Sequence, residues 1–317
     1  MAFRRLFSSL SPLRHENPLG LPQRNPKAPP QLPRRGGPIA KRNIPNVQKV
    51  VAVASGKGGV GKSTIAANLA FALALHPSRP RVGILDLDIF GPSIPRLMGL
   101  ENVHEPRLTP NGAIIPLTNH SLPCMSMGFL LPSSPSSSTE DTPIVWRGLM
   151  VQKAVQQLLF DVEWRGEDGG AGLDVLVIDM PPGTGDVPLT LGQLVVVDGA
   201  VIVSTPQSLS LSDVRKGIAM FRKVDVPITG IILNQSYYTC PSCSTPHHLF
   251  GPPDRFIEVT ERLGVRVLGQ LPLIPEVSAK SDAGVPYMIA GDVKGDEWRS
   301  EMSAVAASVL EAVQLAS

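Results

Sequence analysis

A glycine-rich loop directly after a short apolar run constrains this 317-residue chain more than any other feature. Residues 50–54 are valine and alanine and predict a buried strand, and residues 63–76 predict a helix rich in alanine and leucine. The loop between them reads Gly56, Lys57, Gly58, Gly59, Val60, Gly61, Lys62, Ser63 and Thr64. In this setting the backbone N–H groups and the helix N-terminus favour phosphate oxygens. The loop therefore predicts a nucleotide site, in which Lys62 contacts the β- and γ-phosphates and Ser63 ligates Mg²⁺.

Acidic residues end two of the other predicted strands. Asp179 follows the apolar residues 175–178, and Asp86 and Asp88 follow residues 82–85. Because a strand-end aspartate near a phosphate loop holds Mg²⁺, we expect Asp179 and Asp86 to serve the metal. Asp88 is then a candidate for orienting the attacking water. The alternative for the second pair is that it faces solvent and only ends the strand.

Apolar strands alternate with helices along the rest of the body. Strands are predicted at 200–204, 228–233 and 265–268, and helices at 145–160, 210–222 and 296–314. This order indicates βαβ units and an α/β fold with a mostly parallel sheet and helices on both faces. The segments 105–112, 132–142 and 163–172 are predicted loops. Residues 46–317 are therefore expected to form one domain.

Charge is distributed unevenly along the chain. Residues 1–49 carry ten basic side chains and one acidic side chain, Glu16, and the remaining 268 residues carry 19 basic and 26 acidic ones. Phe3, Leu6, Phe7 and Leu10 make one apolar stripe if residues 1–10 are helical. Such a basic, acid-poor start is typical of a mitochondrial transit peptide, so residues 1–45 are predicted to be a transit peptide and disordered linker. The alternative is a basic tail that binds anionic surfaces or nucleic acid. The body is acidic, so we expect no nucleic-acid partner for it.

The three cysteines, at 124, 240 and 243, exclude a disulfide scaffold, and no apolar run is long enough for a membrane-spanning helix. We expect a soluble protein of a reducing compartment. Cys124 has apolar neighbours and is predicted to lie in the core. Cys240 and Cys243 have the spacing of metal ligands. A redox dithiol is disfavoured, whereas zinc completed by His247 and His248, or an iron–sulfur cluster shared by two chains, both remain open.

Lys57, inside the phosphate loop, carries a resemblance to a family. The Lys-Gly-Gly start resembles the deviant Walker A P-loop NTPases that include ParA and MinD. The resemblance implies a homodimer in which Lys57 reaches the partner's nucleotide. A cation in that position stabilises charge on the transferring phosphate, as an arginine finger does.

Four further blocks narrow the resemblance to the Mrp/ApbC-type iron–sulfur carriers. They are residues 86–99, 145–150, 179–186 and 234–243. The resemblance implies that Asn234 lies near the nucleotide base and that Cys240 and Cys243 bind a [4Fe–4S] cluster bridging two subunits. Cytosolic relatives carry a further N-terminal cysteine cluster, and here the first cysteine is at 124. The resemblance is therefore strongest to the mitochondrial NUBPL-type branch, which assists complex I assembly.

The expected function is ATP-dependent delivery of clusters to mitochondrial targets, with subunits of respiratory complex I as suspected acceptors. A weak ATPase activity, a matrix location and a peripheral contact with the inner membrane accompany this expectation. The alternative is a MinD/ParA-like dimeric switch ATPase with a structural zinc clasp. Such switches use an amphipathic membrane helix, and residues 298–315 have an apolar face that fits either a membrane helix or a core helix.

Overall fold

The computed structural model describes residues 40–315, apart from residues 90, 102, 131–147, 167–168, 241, 244 and 292–296. The chain divides into two units, 1–39 and 40–317, and the first lies outside the described residues. Three predicted segments lie wholly or partly outside the described residues. They are most of the predicted leader, the predicted loop 132–142 and the start of the helix predicted at 145–160.

The described elements alternate as the sequence predicts. The strands are β1 (Val47–Ser55), β2 (Val82–Asp86), β3 (Leu117–Asn119), β4 (Leu122–Ser126), β5 (Leu173–Asp179), β6 (Gly199–Ser204), β7 (Ile228–Leu233), β8 (Tyr238–Thr239), β9 (Pro246–His247) and β10 (Val267–Gln270). The helices are α1 (Lys62–Ala74), α2 (Ile94–Leu97), α3 (Gly148–Phe160), α4 (Asp186–Leu194), α5 (Ser208–Lys223), α6 (Asp254–Arg262), α7 (Pro275–Asp282) and α8 (Glu297–Ala312). Short 3₁₀ turns span Met127–Leu130 and Tyr287–Ile289.

Among the described residues, eight strands form one sheet in the order β10-β7-β6-β1-β5-β2-β4-β3. Every neighbouring pair is parallel except β3 and β4, which confirms the mostly parallel α/β sheet. Helices α1 and α5 both pack on β1 and β6. Because the crossovers that contain them run in opposite directions along the sheet, right-handed connections place them on opposite faces. Strands covered on both faces must be apolar throughout, and all six residues of β6 are buried.

The C-terminal helix α8 belongs to the core. Its apolar face is buried against α1 and the β7–β10 edge of the sheet. Trp298 is 1% exposed and packs edge-to-face on Tyr287, with ring centroids 5.3 Å apart. Of the two interpretations of residues 298–315, the core helix is confirmed. None of the described helices combines the length and the apolar character that a membrane crossing requires.

The antiparallel edge of the sheet was not predicted. Strands β3 and β4 form a hairpin beside β2, and Pro123 within β4 lacks the N–H that a strand normally donates, so the segment does not read as a strand. Helices α4, α6 and α7 were also not predicted.

Cys124 lies in β4 and is fully buried, as expected of a core cysteine. Burial, with a smaller contribution from nearby Asp86, raises the pKa of its thiol to about 12.

Packing contacts of the body begin a few residues before position 46. Lys41 Nζ donates to the Val224 carbonyl oxygen at 2.7 Å. The Arg42 amide donates to the carbonyl of Leu194 at 2.8 Å, and Ile44 is 1% exposed. The last residues of the predicted leader, 40–45, are thus part of the packed body and not of a disordered linker.

We expect Met302→Ala in α8 to lower the free energy of unfolding by about 2–5 kcal/mol, because the side chain is fully buried and its loss leaves a cavity. Ala304→Ser, on the exposed face of the same helix, is the matched control and should change stability by less than about 0.5 kcal/mol. Urea unfolding followed by circular dichroism measures both. Equal effects would contradict the assignment of α8 to the core.

Candidate functional site

The phosphate loop connects the carboxyl end of β1 to the first turn of α1. Gly59 and Gly61 have φ angles of 78° and 81°, a left-handed conformation that glycine adopts without strain. A Cβ on Gly61 would lie 2.5 Å from Asn234 Nδ2, so a larger residue would also collide with the loop's neighbour. The Gly61 carbonyl accepts the first helical hydrogen bond, from the Ile65 amide at 2.9 Å. The loop's backbone therefore leads directly into the N-terminus of α1, as an anion site requires.

Lys62 and Asp179 form a buried ion pair at the base of the loop. Lys62 Nζ donates to Asp179 Oδ1 at 2.5 Å and to Ser63 Oγ at 3.1 Å. The two charged side chains are 6% and 0% exposed. Asp179 lies next to Lys62 because β5 is paired with β1, with Val53 and Asp179 in register. Lys62, Ser63 and Asp179, predicted from separate parts of the sequence, are thus brought together.

The second oxygen of Asp179 is a candidate position for a cation. Asp179 Oδ2 is buried and has no hydrogen-bond partner among the described residues. Burial raises the pKa of this carboxyl, opposed by the neighbouring Lys62 charge. A hard cation such as Mg²⁺ prefers oxygen ligands, and the Ser63 hydroxyl and Asp179 carboxylate supply two of them. The donor set therefore fits Mg²⁺.

Asp86 lies beside Asp179, with the two residues in register on β2 and β5. Its oxygens already accept three hydrogen bonds, from the amides of Asp88 (2.9 Å) and Ile94 (3.2 Å) and from Ser126 Oγ (3.0 Å). Burial and the charge of Asp179 raise the pKa of Asp86 to about 7. These contacts hold the segment after β2 in place, so Asp86 organises the loop that carries Asp88.

Lys57, the lysine expected to reach a partner subunit, is held within its own chain. Its Nζ donates to Gln207 Oε1 at 2.8 Å, at the start of α5. Gln207 was not among the predicted site residues, because it lies 150 positions away and no local pattern marks it. Gly56 is also close to α5, where an added Cβ would lie 2.4 Å from the Cβ of Asp213.

A cavity of about 720 Å³ opens in front of the loop. It is lined by the predicted residues Lys57, Gly58, Gly59, Gly61, Lys62, Ser63, Thr64, Asp88 and Asn234. Its far wall comes from residues 272–274 and α7, which the sequence analysis did not include. They could have been expected, because residues 272–274 follow β10 at the same carboxyl edge of the sheet.

Asn234 braces the phosphate loop. Its side-chain Nδ2 donates to the carbonyl of Val60 at 2.9 Å, and its backbone amide donates to Ser204 at 2.8 Å. The residue is 8% exposed and borders the cavity. It therefore ties the end of β7 to the phosphate loop.

Cys240 and Cys243 lie on the small hairpin of β8 and β9. The Cys240 amide donates to the Thr245 carbonyl at 3.0 Å and closes the turn. Both cysteines are free thiols, one partly exposed and one exposed. Hydrogen bonding to the Thr245 hydroxyl lowers the pKa of the Cys243 thiol, whose sulfur is 3.3 Å from that oxygen. The pair is thus accessible and chemically distinct from Cys124.

Of the two histidines considered for a zinc site, only His247 joins the cysteines. The ligand atoms of Cys240, Cys243 and His247 all lie within 4.8 Å of one another. His248 Nδ1 instead lies 3.2 Å from the Ser236 carbonyl oxygen, and its ring packs edge-to-face on Tyr237.

A short segment connects the cysteine hairpin to the phosphate loop. After Asn234, the amide of Ser236 donates to the Leu271 carbonyl at 2.9 Å, and the amide of Leu273 donates to the Tyr237 carbonyl at 2.7 Å. These bonds fix the root of the hairpin to the wall of the cavity. A path of backbone hydrogen bonds therefore joins the wall of the cavity to the hairpin that carries the cysteines.

Comparison with known proteins gives concordant matches. Residues 46–310 match the ParA family model described as "NUBPL iron-transfer P-loop NTPase". The mouse "Iron-sulfur cluster transfer protein NUBPL" is 47% identical over 82% of this chain and 76% of its own length. The Arabidopsis thaliana "Iron-sulfur protein required for NADH dehydrogenase, mitochondrial" is 40% identical over 80% of this chain and 76% of its own.

Solved structures agree on the fold. A nucleotide-binding protein from Archaeoglobus fulgidus in complex with ADP superposes with a TM-score of 0.61 at 34% identity, covering 76% of this chain and 88% of its own. The MinC:MinD cell division complex of Aquifex aeolicus includes a chain with a TM-score of 0.55 at 18% identity, covering 83% and 96%. The second match concerns the fold alone and confirms the predicted MinD/ParA-like architecture.

We expect Lys62→Ala to lower the free energy of unfolding of the nucleotide-free protein by about 3–5 kcal/mol, because it leaves Asp179 buried without its partner. The matched control is Lys57→Ala in the same loop, which removes one hydrogen bond and should cost about 0.5–1.5 kcal/mol. Urea unfolding measures both variants.

Adding Asp179→Asn to Lys62→Ala should recover part of the loss, because no uncompensated charge then remains in the core. A double variant less stable than Lys62→Ala alone would show that the ion pair does not dominate the energetics of this loop.

Proposed function

Because this chain belongs to the ParA family of P-loop NTPases, within its NUBPL-type iron-transfer group, we propose that it is an ATP-dependent carrier of iron–sulfur clusters. In this proposal Mg·ATP binds at residues 56–64 and a [4Fe–4S] cluster is the cargo. Hydrolysis is weak and serves to change the state of the carrier.

The observation that carries the proposal is the accessible cysteine pair. It lies on a hairpin whose root is hydrogen-bonded to the wall of the cavity in front of the phosphate loop. Thiolates are the ligands that iron–sulfur clusters prefer, and Cys243 has a lowered thiol pKa. A four-iron cluster takes four thiolates, and one hairpin supplies Cys240 and Cys243 alone. Two chains with their hairpins together would supply the full set, so the working unit is a homodimer.

The nucleotide chemistry follows from the residues around the loop. Lys62 would neutralise the β- and γ-phosphates, and Ser63 and Asp179 would hold Mg²⁺, with Asp86 behind them. Bound Mg²⁺ supplies charge neutralisation to the transferring phosphate. Asp88, on the segment that Asp86 orders, would position the attacking water.

Lys57 would act across the dimer. It must first leave Gln207, and the net cost of one such hydrogen bond is only about 1 kcal/mol. Dimer formation around ATP can readily offset that cost. In the separate chain the lysine is stored against its own subunit.

Asn234 gives the two sites a physical connection. It donates to the Val60 carbonyl of the phosphate loop and stands six residues before Cys240. We propose that nucleotide binding moves this connection and thereby changes how the two hairpins meet. Cluster exposure then depends on the nucleotide state.

The destination of the cargo is proposed from the leader and from the relatives. The name of the Arabidopsis relative places that protein in mitochondria and links it to NADH dehydrogenase. We propose that the transit peptide lies within residues 1–45, of which the last residues already pack on the body, and that residues 46–317 are the carrier in the matrix. Apoprotein subunits of respiratory complex I are the proposed acceptors. A peripheral contact with the inner membrane would have to use a surface other than the buried face of α8.

The second candidate function, a dimeric switch ATPase with a zinc clasp, rests on the position of His247. A third ligand within one chain suits zinc as well as it suits iron. Metal content therefore separates the two functions.

We expect anaerobic reconstitution with iron and sulfide to load about two irons per chain, since one four-iron cluster is shared by two chains. Light scattering should show the loaded protein as a dimer. Cys240→Ser with Cys243→Ser should abolish loading, because the sulfur ligands are removed. Cys124→Ala is the matched control, since that thiol is buried, and it should load normally.

Zinc as the sole metal of anaerobically purified protein would overturn the carrier function in favour of the zinc clasp. Loading that survives loss of both cysteines would overturn the assignment of the cluster site.

We expect residues 1–45 fused to a fluorescent protein to direct it into mitochondria of eukaryotic cells. Arg4→Glu with Arg5→Glu should abolish import, because the basic face of the presequence is lost. Arg34→Glu with Arg35→Glu makes the same charge change in the linker and serves as the control. Cytosolic fluorescence from the unaltered fusion would contradict the leader assignment.

A further inference from the structure

The cysteine hairpin holds a histidine that the shared-cluster arrangement does not use. We propose that Cys240, Cys243 and His247 form a metal site within a single chain, which binds one tetrahedral divalent ion such as Zn²⁺ or Fe²⁺ and leaves the fourth position open. This inference deepens the proposed function at the same hairpin, but it requires one chain only.

The pairing of β8 with β9 creates the site. His247 lies opposite Tyr238, two residues before Cys240, so the strand pairing brings the imidazole back to the thiols. The three ligand atoms lie within 4.8 Å of one another. Ligands of one tetrahedral zinc ion are about 3.5–4 Å apart, given bond lengths of about 2.0–2.3 Å. Small rotations of these partly or fully exposed side chains close that difference.

The neighbouring histidine is excluded by its own contacts. His248 Nδ1 lies against the Ser236 carbonyl oxygen and its ring lies on Tyr237, and it is outside the group of three. His247 is the last residue of β9, and His248 lies just beyond the strand. The hairpin thus selects one of two adjacent histidines.

The chemistry of the site follows from its ligand count. Two thiolates and one imidazole suit zinc and ferrous iron, and three protein ligands with one open position are the arrangement in which a further ligand exchanges. A thiolate of a second protein fits the open position. The site therefore lets a single chain retain a metal ion while an incoming thiolate binds to it. Two cysteines alone would bind the ion less tightly.

Cobalt titration tests the site directly. The full chain, kept reduced with a phosphine, is titrated anaerobically with Co²⁺, whose visible absorption is strong in tetrahedral sites and whose thiolate charge-transfer band reports sulfur ligands. We expect one Co²⁺ per chain at the mass of a monomer. Loss of a residue that only hydrogen-bonds to a metal ligand typically lowers metal affinity about 10–100-fold. Loss of the ligand itself, in His247→Ala, should therefore weaken Co²⁺ binding at least about tenfold. It should also reduce the tetrahedral band while the thiolate band persists.

His248→Ala is the matched control and should retain the affinity and spectrum of the unaltered chain. The inference is overturned if His247→Ala binds Co²⁺ with unchanged affinity and spectrum, or if both histidine variants lose binding equally. Half an ion per chain would also overturn it, because the site would then lie between two chains.

Iron reconstitution of the same variants separates this inference from the carrier function. If His247→Ala leaves Co²⁺ binding unchanged yet the protein loads two irons per chain through its cysteines, the single-chain site fails and the carrier function stands. If Co²⁺ binding needs His247 but no cluster forms, the site stands and the carrier function fails.

Discussion

The buried contact between Lys62 and Asp179 is the constraint on which the rest of the site depends. A charged amine and a carboxylate are both removed from water here, and each is stabilised by the opposite charge of the other. The pair can form only if β5 lies beside β1 in the observed register. That register also brings Asp86 of β2 next to Asp179. The phosphate loop, the oxygens proposed to bind Mg²⁺ and the segment that carries Asp88 are therefore positioned by one arrangement of three parallel strands.

From this centre the structure extends to the cysteines through backbone hydrogen bonds. Asn234 fastens β7 to the loop, and the next residues are fastened to the chain that follows β10. The hairpin consequently has a rigid root and an exposed tip. The proposed function needs this combination, because a response to nucleotide requires a firm connection whereas cargo transfer requires accessible thiols.

Local patterns explain how much of this could be foreseen. The apolar strands that flank the phosphate loop are continuous and short, so β1, β2, β5, β6 and β7 were predicted within a few residues of their observed bounds. The hairpin of β3 and β4 was not predicted because Pro123 lacks a backbone N–H and is therefore untypical of a strand. Pairings between distant residues were equally hidden. Nothing near Lys57 points to Gln207, and nothing in the sequence decides between His247 and His248, because the pairing of two short strands makes that choice.

The contrast between the buried and the exposed thiols has a practical consequence. Cys124 is sealed in β4 with a thiol pKa of about 12, so an alkylating reagent at neutral pH cannot reach it as a thiolate. Cys240 and Cys243 are accessible, and in the proposed carrier they would react only when no metal covers them. The mass added by brief alkylation of the native protein would then count the chains whose cysteine pair is empty.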